Sequence, residues 1–310
     1  MDERAITSLM TPSSVLVAMR PKAKWACSGR YDVLMPEASY RIARVHPKDA
    51  KDSPIPEQFF VQNDAEDYDS PEGQKWTIID SPFPTSRANQ NSASREGWEI
   101  NDVVSQDQFD LLAPCAPTNI FGMAHNTGAP GRAIPPQSFH KAASSVIGPN
   151  QTIELMSSDA RVEPEAELTI VIGKPAKNLT LDNAREVVLG VTIGNDVTDR
   201  DAQKADELWI SAKSPDTFTP LGPWIVVGLE DQDLEIGIVH NGEALETSTT
   251  QNLGWGVEEI LVYHSEFLTL QPGDVILTGF PATSRRIAAG DEVTCKIQGI
   301  GELTNPVIAV

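Results

Sequence analysis

Short apolar stretches recur along most of the chain, and few are long enough or periodic enough for a helix. "YRIARVH" (Tyr40–His46) alternates between apolar and polar positions and predicts a strand. "FFVQ" and "WTIID" predict two more short strands. The polar, proline-bearing segments "KDAKDSPIPEQ" and "NDAEDYDSPEGQ" read as loops, and "PFPTSRANQNSASREGW" reads as a long polar connection. These elements predict a small β-rich domain over 39–115. Before it, 1–38 has weak patterning and reads as an N-terminal extension.

From Pro117 the pattern changes. "TNIFGMAH" reads as a buried strand running into the Gly- and Pro-rich loop "NTGAPGRAIPPQ". "EAELTIVIG" and "LGVTIGND" predict strands, and the intervening "LTLDNAREVV" predicts a helix with Thr180 as N-cap and Asp182 in its first turn. "GPWIVVG", "DLEIGIVHNG" and "ALETSTT" predict a meander, in which Asn241-Gly242 is a strong hairpin signal. "VEEILVYHSEFLTL" carries helical periodicity. "PGDVILTG" and "GDEVTCKIQGIGELTNPVIAV" close the chain with strands. Many strands with few helices predict a mostly β (α+β) architecture rather than alternating βαβ units, with a larger second domain over 116–310.

Composition narrows the function classes. A net charge of −20 over 310 residues opposes nucleic acid and anionic membrane surfaces as partners, since both need clustered Lys and Arg. No stretch approaches the run of about 20 apolar residues that a membrane span requires. Cys27, Cys115 and Cys295 are far apart, contain no CxxC pair, and read as small buried hydrophobes or inert thiols. "MDERAITSLMTPSS" lacks the apolar core of a signal peptide, so the cytoplasm is the expected compartment.

The candidate chemistry lies in carboxylates. In a strand, Glu165 and Glu167 project from one face, with Thr169 and Val171 continuing it and Leu168, Ile170 and Ile172 on the other. Two like charges side by side repel, and burial strips each of hydration. A divalent cation removes both problems; a strand end facing water is the plainer alternative. Glu163, behind Pro164, reads as a solvated residue. Asp196 sits where "LGVTIGND" gives out and could complete a three-carboxylate oxygen site. Hard oxygen ligands suit Mg²⁺, Mn²⁺ or Ca²⁺ better than Zn²⁺. Asp199 and Asp201 read as a turn cluster capping a helix. Lys213, in "SAKSPDTFTPLGPW", is either a surface lysine or a cation placed to neutralise developing negative charge.

Taken together, "PEAELTIVIGK", "IGNDVTDRDAQ", "AKSPDTFTPLGPW", "PGDVILTGFPA" and "GDEVTCKIQGIGELTNPV" resemble, in order, the motifs of the fumarylacetoacetate hydrolase superfamily. The likeness runs from about Ala116 to the C-terminus, and extends more weakly back to "YRIARVH", which resembles the small N-terminal domain of bacterial two-domain members. The resemblance implies a β-sandwich roll, a Mg²⁺ or Mn²⁺ site, a homodimer, and a small 2-oxo or β-diketo acid substrate. It implies hydrolysis of a C–C bond as the first expectation, with decarboxylation, isomerisation or dehydration as alternatives. A non-catalytic protein that binds a metal and an acid ligand is a reading from another class. Carried over by position, the metal ligands are Glu165, Glu167 and Asp196. Gln203 and Lys213 match polar residues near the substrate's carboxylate and reacting oxygen, which implies catalytic roles, and Lys141 matches a family lysine expected to bind substrate. Arg200 matches a residue of the same motif and is either a substrate-binding or a structural residue. Thr278 and Gly279 match a substrate-side turn, although this chain has Phe280 in "TGFP" where "TGTP" is common.

The chain departs from the family pattern at the water-activating base. Many family hydrolases resemble G-x-N-Y-x-x-H-x-x-E in the loop that here reads "GMAHNTGAPG", and counting from Gly122 places Gly128 and Gly131 at the His and Glu positions. His125 lies three positions early. It is either a replacement base or a structural histidine. His46, His240 and His264 are given no role, and His140 lies beside Lys141.

Overall fold

The computed structural model describes residues 39–50, 57–128 and 135–310. The N-terminal extension with Cys27, and parts of the "KDAKDSPIPEQ" and "NTGAPGRAIPPQ" loops, lie outside the described residues. The chain enters as β1 (Tyr40–Pro47), β2 (Phe59–Asn63), β3 (Lys75–Ile79), β4 (Val103–Ser105) and β5 (Phe109–Leu111). It continues with β6 (Ile120–Met123), β7 (Ser138–Lys141), β8 (Val146–Ile147), β9 (Ile153–Leu155), β10 (Val162–Glu163), β11 (Ala166–Ile172), β12 (Val188–Asn195) and β13 (Thr198–Asp199). Two short helices follow, α1 (Arg200–Ala205) and α2 (Ile210–Lys213), then β14 (Thr219–Val227), β15 (Glu235–His240), β16 (Glu243–Ala244) and β17 (Ser248–Thr249). Helix α3 (Val257–Phe267), β18 (Val275–Leu277), β19 (Glu292–Ile297) and β20 (Gly301–Ala309) complete it.

A large mixed sheet runs in the order β4-β3-β2-β1-β14-β12-β11-β18-β6-β7, with β5 on β1 and β8 on β14. A smaller sheet runs β16-β15-β19-β20-β9, with β17 on β15. The period-two rule separates the two faces of the large sheet. In β11, Leu168, Ile170 and Ile172 pack with Ile236, Ile238, Cys295 and Leu303 of the smaller sheet, forming the layer between the sheets. Val171 falls on the opposite face with Ile42, Phe60, Ile225 and Val275. Both faces of β11 are therefore buried, and a strand so placed is a rigid mount.

Helix α3 follows from its sequence. Val257, Ile260, Leu261 and His264 recur at i, i+3, i+4 and i+7 and are its buried face. Glu258 and Glu259 occupy the first turn, where the macrodipole favours them, and Glu259 Oε2 accepts the Gly256 N–H. The Asn241-Gly242 hairpin forms as predicted, with both residues at positive φ between β15 and β16.

Two predicted elements differ. "LTLDNAREVV" is not an α-helix: a single 3₁₀ turn spans Ala184–Val187 with Asn183, not Thr180, before it. Asn183 Oδ1 accepts the Thr180 N–H, offering the backbone a turn instead of a helix, and the β-branched Val187 and Val188 lead directly into β12. The expected meander forms only in its second half: β16 and β17 pair with β15, but β14 belongs to the large sheet while β15 lies in the smaller one.

The topology gathers one end of the large sheet. The start of β11 pairs with the end of β12 (Ala166 with Asn195, Glu167 with Gly194), and Gly194 pairs onward with Leu221 near the start of β14. On the other side the end of β18 meets β11 and β6. Residues far apart in sequence are thus delivered to a single rim.

Candidate metal centre

Glu165 and Glu167, at the leading end of β11, and Asp196, just past β12, each offer a carboxylate oxygen, and these atoms all lie within 4.8 Å of one another. The backbone fixes the meeting. Asn195 Oδ1 accepts the Glu165 N–H at 3.0 Å, and the Asp196 N–H donates to the Glu165 carbonyl at 2.9 Å.

Two lysines close on Asp196. Lys141, from β7 and fully buried, donates to Oδ1 at 2.5 Å. Lys213, the last residue of α2 and 3% exposed, donates to Asp196 Oδ2 and to Glu165 Oε2, the latter at 2.9 Å. Its ammonium also stands 4.7 Å from the centre of the Phe139 ring. Burial alone would lower Lys213, but Asp196, Glu165 and Glu167 hold it above the ordinary lysine range. Lys141 is lowered by its burial, against the pull of Asp196.

The three carboxylates differ in what surrounds them. Glu165 is well supplied: Arg200 Nη2 donates to Oε1 at 2.8 Å, and the Thr198 hydroxyl lies 2.9 Å from Oε2. Burial would raise its carboxyl, yet the Lys213 and Arg200 charges outweigh that and bring it down to about 2. Glu167 is 3% exposed, and among the described residues the Gly279 N–H, 2.6 Å from Oε2, is its one hydrogen-bond donor. Burial, then the Asp196 and Glu165 charges, push Glu167 well above the usual carboxylate range. A buried carboxylate with one donor and two like charges beside it calls for a further positive charge. The oxygen-only donor set fits a hard divalent ion of the Mg²⁺ or Mn²⁺ kind.

The other predicted residues are placed around this core. Arg200, at the start of α1, bridges Glu165, Glu163 (Nε to Oε2, 2.8 Å) and Gln203 (Nη1 to Oε1, 3.1 Å). Gln203 therefore joins the cluster through Arg200. Thr278 is buried with its hydroxyl donating to the Leu168 carbonyl at 2.9 Å, so that hydroxyl serves the backbone. Gly279 acts through Glu167 as described. His125 is exposed and set apart from the carboxylates' hydrogen-bond network; its ring meets Trp209, with centroids 5.4 Å apart. Asp199 caps α1, accepting the Asp201 and Ala202 N–H groups.

One expectation is overturned. Glu163 is not solvated: it is 6% exposed, pairs in β10 with Thr198, and accepts from Arg161 and Arg200. Pro164 lies in the break between β10 and β11, so Glu163 is outside β11 but is buried in a strand pair of its own with β13. Reasoning from sequence also missed Thr198, Asn126 and Phe139. The alternation of "EPEAE" was the signal for Glu163, and Thr198 lies inside the "DVTDRD" run; Asn126 and Phe139 carry no local signal. The histidines given no role are structural where they can be followed. His46 contacts the Glu57 carbonyl, His240 pairs with Asp291, and His264 spans the Ile260 carbonyl and Ser138.

Residues 115–308 match the family described as "Fumarylacetoacetate (FAA) hydrolase C-terminal", and the chain belongs to that family. Members of its superfamily are enzymes, with hydrolases, isomerases and tautomerases among them. Protein Rv2993c of Mycobacterium tuberculosis is 38% identical over 240 residues, covering 74% of this chain and 86% of its own. Oxaloacetate tautomerase fahd2, mitochondrial, of Xenopus laevis is 36% identical over 225 residues, 66% of this chain and 70% of that protein. The crystal structure of 5-carboxymethyl-2-hydroxymuconate delta-isomerase from Mycobacterium smegmatis aligns with a TM-score of 0.74 at 36% identity, over 87% of this chain and 100% of that one. Among the described residues no helix is long and apolar enough to cross a membrane.

Proposed function

We propose that this protein catalyses metal-assisted enolisation, a tautomerisation or double-bond isomerisation, of a small 2-oxo dicarboxylic acid. The observation that carries this reading is the mismatch between what the site keeps and what it lacks. It keeps the carboxylate triad with two buried lysines, and has Gly128 and Gly131 where family hydrolases carry the His and Glu that activate water. Enolisation needs a charge sink and a proton carrier but no attacking water. A relative at 36% identity is named as an oxaloacetate tautomerase and a structural neighbour as an isomerase, which supports the same choice.

Glu165, Glu167 and Asp196 would hold the divalent ion, which supplies Lewis-acid polarisation of the 2-oxo carbonyl and positive charge for the adjoining carboxylate. Lys213, kept charged by Asp196 and Glu165, directs an N–H at negative charge developing on the substrate oxygen. Lys141 and Gly279 hold Asp196 and Glu167 in place. His125 is our candidate for moving the proton at carbon, since its ring is exposed and has no hydrogen bond among the described residues. That same free imidazole favours one second reading, C–C hydrolysis of an acylpyruvate with His125 activating water.

The test uses oxaloacetate and a panel of acylpyruvates with Mg²⁺ or Mn²⁺. Enolisation predicts faster keto–enol equilibration of oxaloacetate with no loss of total 2-oxo acid. Cleavage of acylpyruvates at a comparable rate would replace this reading with hydrolysis, and CO₂ release with decarboxylation. Oxalate binding without turnover of any compound would make the protein a binding module.

A further inference from the structure

Trp209 holds a backbone conformation that its side chain disfavours. It sits at φ 62°, ψ 12°, the left-handed region in which glycine or asparagine is the ordinary occupant and a bulky residue is an outlier. The backbone itself has work at this point. The Trp209 carbonyl accepts the Ala212 and Lys213 N–H groups at 3.1 and 2.9 Å, which starts α2 and so sets where Lys213 emerges. Its own N–H donates to the Asp206 carbonyl, and the Asp206 side chain accepts from Leu208 and Ser211. Glycine would do all of this with less strain. The indole is therefore to be explained by what it touches.

It touches both ends of the candidate machinery. The His125 ring stands edge-on to the indole at 5.4 Å and 80°, and the Phe139 ring lies 5.6 Å from it, tilted at 60°. Phe139 in turn carries the Lys213 ammonium over its face. His125 is itself left-handed at φ 57°. The next residue, Asn126, is buried and pinned: its Nδ2 donates to the Trp255 and Thr278 carbonyls, and its Oδ1 accepts the Trp255 N–H. Thr278 precedes the Gly279 that holds Glu167. Two strained residues thus meet ring to ring, one on the segment tied to Glu167 and the other on the turn that launches Lys213.

We propose that Trp209 is a positioning residue, whose indole fixes the His125 imidazole and, through Phe139, the Lys213 ammonium. Its kinetic consequence rests on the enolisation reading above; its geometric consequence does not. The experiment compares W209G, W209N, W209F and H125A, alone and with W209G combined with H125A. Glycine and asparagine accept the left-handed backbone, so in W209G and W209N the relieved strain offsets part of the lost ring packing and both variants fold. With oxaloacetate and Mn²⁺, W209G loses at least about tenfold in kcat with KM changed less than about threefold, and W209F recovers most of the loss. In an H125A background W209G costs less than in the parent, because part of its effect runs through His125. Histidine ring-proton NMR, with His125 assigned by its disappearance in H125A, shows that resonance moving in W209G and little changed in W209F. A His125 resonance indifferent to W209G overturns the proposal even if the enzyme turns over nothing tested. So does a W209G kcat within about twofold of the parent. If W209G and W209N both fail to fold while W209F folds, the indole is a packing residue and the proposal falls.

Discussion

Gly279 donates its N–H to Glu167 Oε2 at 2.6 Å from a backbone at φ 108°, which only glycine adopts freely. A Cβ at this position would stand 3.0 Å from the Asn126 carbonyl oxygen and 3.1 Å from the Asn126 Cβ. One glycine thus supports the carboxylate that has the fewest partners and lets the Asn126 segment pack against it.

Gly279→Ala tests that arrangement. The strain predicts a loss of roughly 1–3 kcal/mol in denaturant unfolding. Displacement of the Glu167 donor predicts a fall of about ten- to a hundredfold in Mn²⁺ affinity, the scale typical of groups that orient a metal ligand. A variant with parental stability and affinity would remove Gly279 from the support of the site.

Lys213 separates charge stabilisation from metal retention. Lys213→Met is expected to lower kcat by about 10²–10³-fold, the usual cost of removing a donor aimed at developing charge. Lys213→Arg should not restore it, because a planar fork cannot reproduce a point charge packed between Asp196, Glu165 and the Phe139 ring. Single-turnover kinetics on both variants with Mn²⁺ present measures this, and full activity in Lys213→Arg would contradict it.

His264 makes a prediction about pH. Its ring is fully buried between the Ile260 carbonyl and the Ser138 hydroxyl, and burial lowers it from 6.5 to about 4. The unfolded chain then binds a proton more readily than the native one, so this contribution is complete above pH 6.5 and is lost as pH falls towards 4. The interval is worth about 3 kcal/mol at most. His264→Leu should flatten that part of the curve when urea unfolding is followed from pH 7 to pH 4. An unchanged slope would mean that other groups carry it.

How much of this was legible in the sequence follows from what is local and what is not. The strand period put Glu165 and Glu167 on one face, and the end of an apolar run marked Asp196; both signals are written within a few residues. The mostly β character was legible for the same reason. What was not legible depends on tertiary closure. Glu163 turns inward because Arg200, 37 residues on, returns to meet it. The 180–188 segment has helix-forming composition but is captured by the Asn183 side chain and by the demand of β12 for Val188. The β14–β15 step of the meander does not form because local patterning cannot report which of two sheets a strand joins. Trp209 is invisible in sequence, since nothing in "DELWISAK" announces a left-handed tryptophan.

Whether Glu165, Glu167 and Asp196 together hold one divalent ion is decided by Mn²⁺ titration followed by electron paramagnetic resonance. One tight Mn²⁺ per chain is expected in the parent protein, weakened by at least about tenfold in both Glu167→Gln and Asp196→Asn while the fold persists by circular dichroism. A parent protein that binds no Mn²⁺, or variants that bind it as tightly as the parent, would contradict a shared ion.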